Sequence, residues 1–281
     1  MTLRSLLFVP GDRPERMHRA LRSGADAIIL DLEDSVVAEN KGLARKHVAH
    51  FLSQYDSDLP CFVRINSIER GMISDDLNAI LPGKPFGIVL PKVDGPDAIR
   101  ILDVKLEASD AVILPVVTET PSAIFRLGDY AHVSSRLFGL TWGVEDLSSA
   151  IGASGAREND GRYRPPFEVV RSLVLFGAHA ANVPAFETIF PDISNVSGLA
   201  AYSTQGRRDG FAGMLAIHPK QVETIHLAFR PTNAELDEAR RIIALFQANP
   251  SSGALDFEGR MVDAPHLSEA KRILRSVGEP F

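Results

Sequence analysis

The sequence predicts a single (β/α)8 barrel followed by a helical extension. Two observations carry that expectation. Short apolar runs alternate with longer amphipathic segments along most of the 281 residues, and polar residues gather just after the apolar runs. Runs that are apolar throughout, rather than alternating, are what parallel strands covered on both faces require. Eight β-then-α units in succession, without a long linker or a shift of composition, favour a closed barrel over an open doubly wound sheet. The open sheet would need a crevice-forming reversal of strand order. One barrel of roughly 250 residues plus an appendage also fits the chain length.

Taken in order, the expected strands are 5–9, 27–32, 61–65, 87–90, 111–117, 136–141, 182–186 and 214–217. Helix-length segments between them include 14–23, 41–52, 96–106, 121–127, 167–179 and 196–206. Two further helical segments, 233–248 and 267–277, follow the eighth unit and are joined by a Pro/Ser/Gly-rich loop at 249–253. The expected division is a catalytic barrel over 1–229 and a C-terminal helical extension over 230–281.

Composition narrows the class. No apolar run reaches the ~18 residues of a membrane span, and Arg4, Pro10 and Gly11 interrupt the N-terminal stretch, so a cytoplasmic protein is expected. The single cysteine, Cys61, excludes an intrachain disulfide and a multi-cysteine metal site, and its apolar neighbours mark it as a small buried hydrophobe. A net charge of −6 argues against nucleic acid as the main partner.

Active sites of such barrels lie at the carboxyl ends of the strands. Those positions carry Glu33 and Asp34, Arg64 and Asn66, Lys92, Glu119, Asp146, Glu187 and His218. Acids arriving from several strands would repel one another unless a cation neutralised them, and Mg2+ is the simplest that prefers oxygen ligands. The histidines lack the spacing of a zinc site. Each acid, taken singly, could instead cap the following helix. Asp31 alternates with Glu33 and could share its face, although a structural salt bridge serves it equally well. Arg64 stands in an otherwise apolar strand end and needs a partner, such as a substrate carboxylate or carbonyl. His218, before Pro219, fits a turn or supporting role, and Trp142 fits packing.

The segments Arg4-Ser-Leu-Leu-Phe-Val-Pro-Gly11, Asp31-Leu-Glu-Asp-Ser-Val36, Val63-Arg-Ile-Asn66, Leu90-Pro-Lys92, Thr118-Glu-Thr120, Gly143-Val-Glu-Asp-Leu147 and Ile217-His-Pro-Lys-Gln221 resemble the citrate lyase beta subunit and its relatives. These belong to the HpcH/HpaI aldolase and citrate lyase superfamily, which includes malyl-CoA and citramalyl-CoA lyases. Individually the motifs are weak; their ordered set is strong.

The resemblance implies Mg2+ held by Glu119 and Asp146, with Glu33 and Asp34 fixing its waters. It implies that backbone N–H groups of Gly143, Val144 and Glu145 receive a substrate carboxylate, and that Arg64 faces the thioester carbonyl and stabilises the enolate formed when the carbon–carbon bond breaks. Cleavage of that kind also needs a base for the hydroxyl proton. The stretch Phe257-Glu-Gly-Arg-Met-Val-Asp-Ala-Pro-His266 resembles the C-terminal motif of full-length lyases, in which an aspartate matching Asp263 enters a neighbouring subunit's site as general acid/base. Asp263 as an N-cap of the final helix, with Pro265 near its start, is the alternative. The implied assembly is a trimer or a hexamer of paired trimers.

A Schiff-base mechanism through Lys92 is the competing chemistry, but it would not need the acidic cluster. Arg16 and Arg19, one turn apart, could meet the phosphates of coenzyme A, and a solvated helix face explains them as well. The family usually has aspartate where this chain has Glu187, a longer side chain that could reshape the pocket. The leading expectation is a lyase releasing acetyl-CoA and a 2-oxo acid from malyl-CoA, citramalyl-CoA or a relative, with thioesterase activity as a possible companion. The alternatives are a citrate lyase beta subunit acting on a citryl thioester of acyl carrier protein, and a non-catalytic binding oligomer.

Overall fold

Eight parallel strands form the centre of the chain: β1 (Ser5–Pro10), β2 (Ala27–Asp31), β3 (Cys61–Arg64), β4 (Gly87–Leu90), β5 (Val112–Pro115), β6 (Leu140–Thr141), β7 (Ala185–Glu187) and β8 (Gly213–Ala216). The computed structural model describes residues 3–158 and 161–281. Hydrogen-bonded neighbours run β5-β4-β3-β2-β1-β8-β7-β6. The remaining seam is stitched by parallel bridges Ile113↔Leu137 and Val116↔Thr141, and the Val117 N–H donates to the Thr141 carbonyl at 3.0 Å. The sheet therefore closes on itself, as the sequence predicts.

The helices that follow are α1 (Pro14–Ala20), α2 (Lys41–Ser53), α3 (Ile73–Ile80), α4 (Pro96–Lys105), α5 (Pro121–Ile124), α6 (Glu145–Ala150), α7 (Pro165–Ala180), α8 (Val196–Asp209) and α9 (Lys220–Phe229). Proline opens α1, α4, α5 and α7, where the first-turn N–H it lacks has no intrahelical partner to lose. Among the described residues no helix is long and apolar enough to cross a membrane.

Strand six is shorter than expected. Only Leu140–Thr141 is regular, although Arg136 and Phe138 still exchange backbone hydrogen bonds with Ile113. Gly139 lies in the irregular stretch and has no room for a side chain: a Cβ there would lie 2.7 Å from the carbonyl oxygen of Pro184, just before β7.

Successive residues of a strand face opposite sides, so one column per strand fills the barrel. Leu6, Ala27, Ile29, Phe62, Val89, Leu114, Phe186 and Leu215 belong to that interior cluster. Phe62 packs edge-on against Phe86 and tilts against Phe138, which stacks on Phe186. Gly87 makes room for the Phe62 ring, which a Cβ would approach to 2.6 Å. Burying each such ring contributes about 1.5–3 kcal/mol. Two residues further along the same faces the filling changes character: Ile29 is followed by Asp31 and Phe62 by Arg64, paired neighbours in the β2–β3 register. The site begins at that layer. Cys61 is buried as expected, and desolvation pushes its thiol up to about 12.

Two compact units emerge, Leu3–His226 and Leu227–Phe281. In the second, α10 (Asn233–Ala248) opens with a capping box in which the Thr232 N–H donates to Glu235 and the Glu235 N–H to Thr232. Leu236, Ile242 and Ile243 pack with Phe257, Val262 and Leu274. A hairpin absent from the expected elements, β9 (Ala254–Phe257) and β10 (Arg260–Asp263), precedes α11 (Ala264–Ser276). Its two-residue turn places Glu258 and Gly259 at φ 53° and 79°, the paired left-handed conformations of a type I′ turn.

Candidate active site

Asp31 and Arg64 anchor the mouth of the barrel. The Arg64 Nε and Nη2 donate to the two oxygens of Asp31, each at 2.7 Å, in the two-pronged geometry that a guanidinium offers a carboxylate. Its third nitrogen, Nη1, lies 3.2 Å from Glu33 Oε2 without hydrogen-bond geometry. Burial raises the Asp31 pKa, but the Arg64 charge and the bonds from Arg64, Ser35 and Glu33 outweigh it and hold Asp31 below the ordinary range. The Arg64 guanidinium also lies over the Phe8 ring, 4.7 Å from its centroid.

Lys92 is the hub of the acids. Its Nζ lies 3.0 Å from Glu33, 3.2 Å from Asp146, 3.5 Å from Asp34 and 4.0 Å from Glu119. Glu119 and Asp146, expected to act together, thus converge on one ammonium. The Lys92 backbone takes the left-handed conformation, φ 54°, and its N–H donates to Glu119 Oε2 at 2.6 Å. A non-glycine residue held there is backbone strain at a site, of the kind that function retains. The cluster grades from closed to open: the Glu33 side chain is 0% exposed, Asp146 41% and Asp34 44%.

One ammonium shared among these carboxylates leaves negative charge in excess. Burial pushes the Glu119 carboxyl up to about 8; the Lys92 amide and ammonium pull against this, while Glu33 and Asp146 add to the rise. Glu33 is raised too, by burial first and then by Asp34, against Arg64 and Lys92. Burial works against the Lys92 ammonium, yet Glu119, Glu33 and Asp34 prevail and raise its pKa. A lysine so firmly protonated is a poor Schiff-base nucleophile, which needs the free amine.

Several positioning residues left no mark in the sequence. Lys41, buried on α2, donates to the carbonyls of Leu32 at 2.7 Å and Glu33 at 2.5 Å and pins the turn that carries the acids. Thr118 clips the next loop: the Gly143 N–H donates to its hydroxyl at 3.0 Å, and the hydroxyl donates back to the Gly143 carbonyl at 2.9 Å. Gly143 must be glycine, because a Cβ would sit 2.9 Å from Glu119 Cγ. Its N–H is thus engaged; Val144 and Glu145, the other two positions of the expected anion site, follow where the chain enters α6.

The remaining candidates divide between support and surface. Asn66 is buried and donates twice to Asp76, which Arg45 also holds. His218 accepts the Lys220 N–H at 3.2 Å in the turn before α9. Arg16 and Arg19 are exposed on α1. Asp263 is the N-cap residue of α11, with Oδ1 2.6 Å from His266 Nδ1 and a side chain 36% exposed. Glu187 corrects the expectation that it shapes the pocket. It is fully buried and its partners Arg171 and Tyr202 lie on α7 and α8, so it points between the sheet and its helices. A cavity of about 660 Å³ flanked by α7 and α8 borders Tyr163, Arg171 and Tyr202 but none of the acids around Lys92, so the chemistry is not there.

A closed barrel carrying an oxygen-rich acidic cluster beside an arginine at its carboxyl mouth defines a barrel enzyme of the carboxylate-site class. The HpcH/HpaI aldolase/citrate lyase model matches residues 4–219, and the chain belongs to that family. The citrate lyase subunit beta-like protein of Mycobacterium tuberculosis (strain ATCC 25618 / H37Rv) is 34% identical over 97% of this chain and 95% of its own. Citrate lyase subunit beta of Escherichia coli (strain K12) is 30% identical over 97% and 92%. The crystal structure of CitE from Mycobacterium tuberculosis in complex with magnesium, acetoacetate and coenzyme A superposes with a TM-score of 0.85 at 32% identity, covering 99% of each chain.

Proposed function

We propose that this chain is a Mg2+-dependent carbon–carbon lyase that cleaves a 3-hydroxyacyl thioester of coenzyme A into acetyl-CoA and a 2-oxo acid. The observation that carries it is the convergence of Glu33, Asp34, Glu119 and Asp146 on one cation, beside Arg64, at the barrel mouth. The relative from Mycobacterium tuberculosis, similar over its whole length, was crystallised with magnesium, a small organic acid and coenzyme A.

The residues present fit the ion. Apart from Lys92 and Arg64 the side chains gathered there end in carboxylate oxygens, Glu33 Oε2 is buried with the Arg64 charge nearby but no hydrogen bond, and the raised Glu119 carboxyl marks charge that a divalent cation would neutralise. Among the described residues no three acidic, histidine or cysteine side chains converge closely enough to hold a metal by themselves. Mg2+ does not require that, since it keeps waters and takes one or two carboxylates. In this reading Glu119 and Asp146 are its ligands, and Glu33 and Asp34 orient its waters. When bound, the ion supplies the Lewis acid that polarises the oxo-acid carbonyl.

The protein's own groups supply the rest. Val144 and Glu145 present backbone N–H groups to the substrate carboxylate. Arg64, fixed by Asp31, offers an always-protonated donor to the thioester oxygen as the enolate forms. Asp263 of a neighbouring copy takes the hydroxyl proton and returns it to the enolate carbon to give acetyl-CoA, which makes the working enzyme an oligomer, a trimer or a hexamer of paired trimers. A partly exposed carboxylate where β10 runs directly into α11 supports that role. The match to the Escherichia coli subunit keeps a second reading open, with the acyl group carried by acyl carrier protein instead of coenzyme A.

The test is a panel of malyl-CoA, citramalyl-CoA and related thioesters, with and without Mg2+, assayed for 2-oxo acid. Release confined to the Mg2+ arm is expected. Cleavage of citryl-acyl carrier protein with none of the CoA esters would favour the second reading; no 2-oxo acid from either carrier would end both.

A further inference from the structure

We propose that Glu187 is a positioning residue, which holds the Trp142 indole and through it the turn from Trp142 to Asp146 that carries the oxo-acid site. This rests on the function proposed above. Trp142 and Glu187 are both fully buried, and the indole Nε1 donates to Glu187 Oε1 at 2.7 Å. The same oxygen receives the Tyr202 hydroxyl at 2.5 Å and the Thr188 N–H at 3.0 Å. Arg171 Nε holds the other oxygen at 2.7 Å and reaches Asp209 with Nη1 at 2.6 Å. The carboxylate is therefore fixed from β7, α7 and α8 at once. Strands β6 and β7 are in register immediately before it, Thr141 opposite Phe186.

Trp142 immediately precedes Gly143, so an indole that cannot rotate fixes the backbone leaving β6. The turn is thus clamped at two points: the indole, by Glu187 from the outer side of the sheet, and Gly143, by Thr118 from the neighbouring loop. Just past those clamps, at Val144 and in the first turn of α6, lie the N–H groups of Val144 and Glu145 and the carboxylate of Asp146. A small shift of the indole would move all three, and site geometry tolerates little looseness. Glutamate suits this place because it spans the distance between an arginine on α7 and an indole just past β6.

Trp142 is the only tryptophan in the chain, so its emission reads this indole alone. Pyruvate serves as the oxo-acid probe, titrated with Mg2+ present into the full-length protein. The wild type should bind it with a change in tryptophan emission. Trp142→Phe removes the indole N–H but leaves the Glu187–Arg171 pair intact, and should weaken pyruvate by about tenfold or more in calorimetry, the size of one lost hydrogen bond to a charged group. Cys61→Ala removes a buried side chain at the amino end of β3, outside the Glu187 network; it should lower the melting temperature and leave pyruvate affinity within about twofold, since an independent site does not couple. Equal pyruvate affinity in Trp142→Phe and wild type overturns the proposal. So does an equal loss in Cys61→Ala, which would mean general loosening. A wild type that fails to bind pyruvate with Mg2+ instead overturns the lyase reading itself.

Discussion

Glu119 and Glu187 are two buried glutamates at the ends of strands of one barrel, and their surroundings differ in kind. Glu187 has an arginine on one oxygen and three hydrogen-bond donors on the other. Glu119 has one backbone N–H and a 4.0 Å share of a lysine that Glu33, Asp34 and Asp146 also claim. The first is a finished ion pair facing the helices; the second is a site left short of positive charge, facing the barrel mouth. Burial alone therefore does not separate structural from functional acids. The balance of compensating charge does.

The widest break between the two comes from the same substitution at each. Glu187→Gln leaves Arg171 with Asp209 alone and is expected to cost about 3 kcal/mol in denaturant unfolding, the lower end of the range for breaking a buried pair. Glu119→Gln should cost far less, about 1 kcal/mol or under, because at neutral pH it replaces a carboxyl that burial already keeps largely protonated, yet abolish Mg2+ binding in calorimetry. If Glu119→Gln binds Mg2+ normally, or unfolds as readily as Glu187→Gln, the contrast is lost.

Next comes the extension. Asp263→Ala should reduce lyase turnover by ~10²–10⁴-fold, as for a lost general acid/base, with the barrel still folded by circular dichroism. Turnover near that of the wild type would leave Asp263 as a helix cap alone, whose loss costs about 0.5–2 kcal/mol.

The pH dependence sharpens the comparison at Glu119. Its carboxyl titrates near 8 in the folded chain against an ordinary value of 4.5. Across that window the folded state keeps a proton that the unfolded state has lost, so metal-free stability falls as pH rises from 4.5 toward 8. Mg2+ needs the ionised form and should release a proton on binding, with affinity climbing until pH passes about 8. Calorimetry in buffers of different ionisation enthalpy measures that release; none at pH 7 would mean that Glu119 is already ionised. The smallest effect is expected on α1, where Arg16→Ala with Arg19→Ala should raise KM for the thioester severalfold at unchanged kcat, about the size of exposed charge contacts. A KM that does not move assigns these arginines to a solvated face.

The order of strands and most helix positions were legible because apolar runs and proline starts are local signals. So was the set of polar residues at the strand ends, since a barrel projects them to one mouth. The hairpin of β9 and β10 escaped notice because Glu258-Gly259 is a weaker turn signal than Asn-Gly. The parts played by Lys41 and Thr118 escaped too: each acts on a loop carried by another element, and neither contact has a periodicity to read.

By itself, then, the sequence determined the barrel, the family and the gathering of acids and Arg64 at one end, all consequences of local pattern repeated along the chain. Only the tertiary structure decided which acid is satisfied and which is not. That decision depends on where Arg171, Tyr202 and Trp142 meet Glu187, and on how many carboxylates Lys92 must serve. Compensation of charge is a property of distances across the fold, and these are set by packing between elements far apart in the chain.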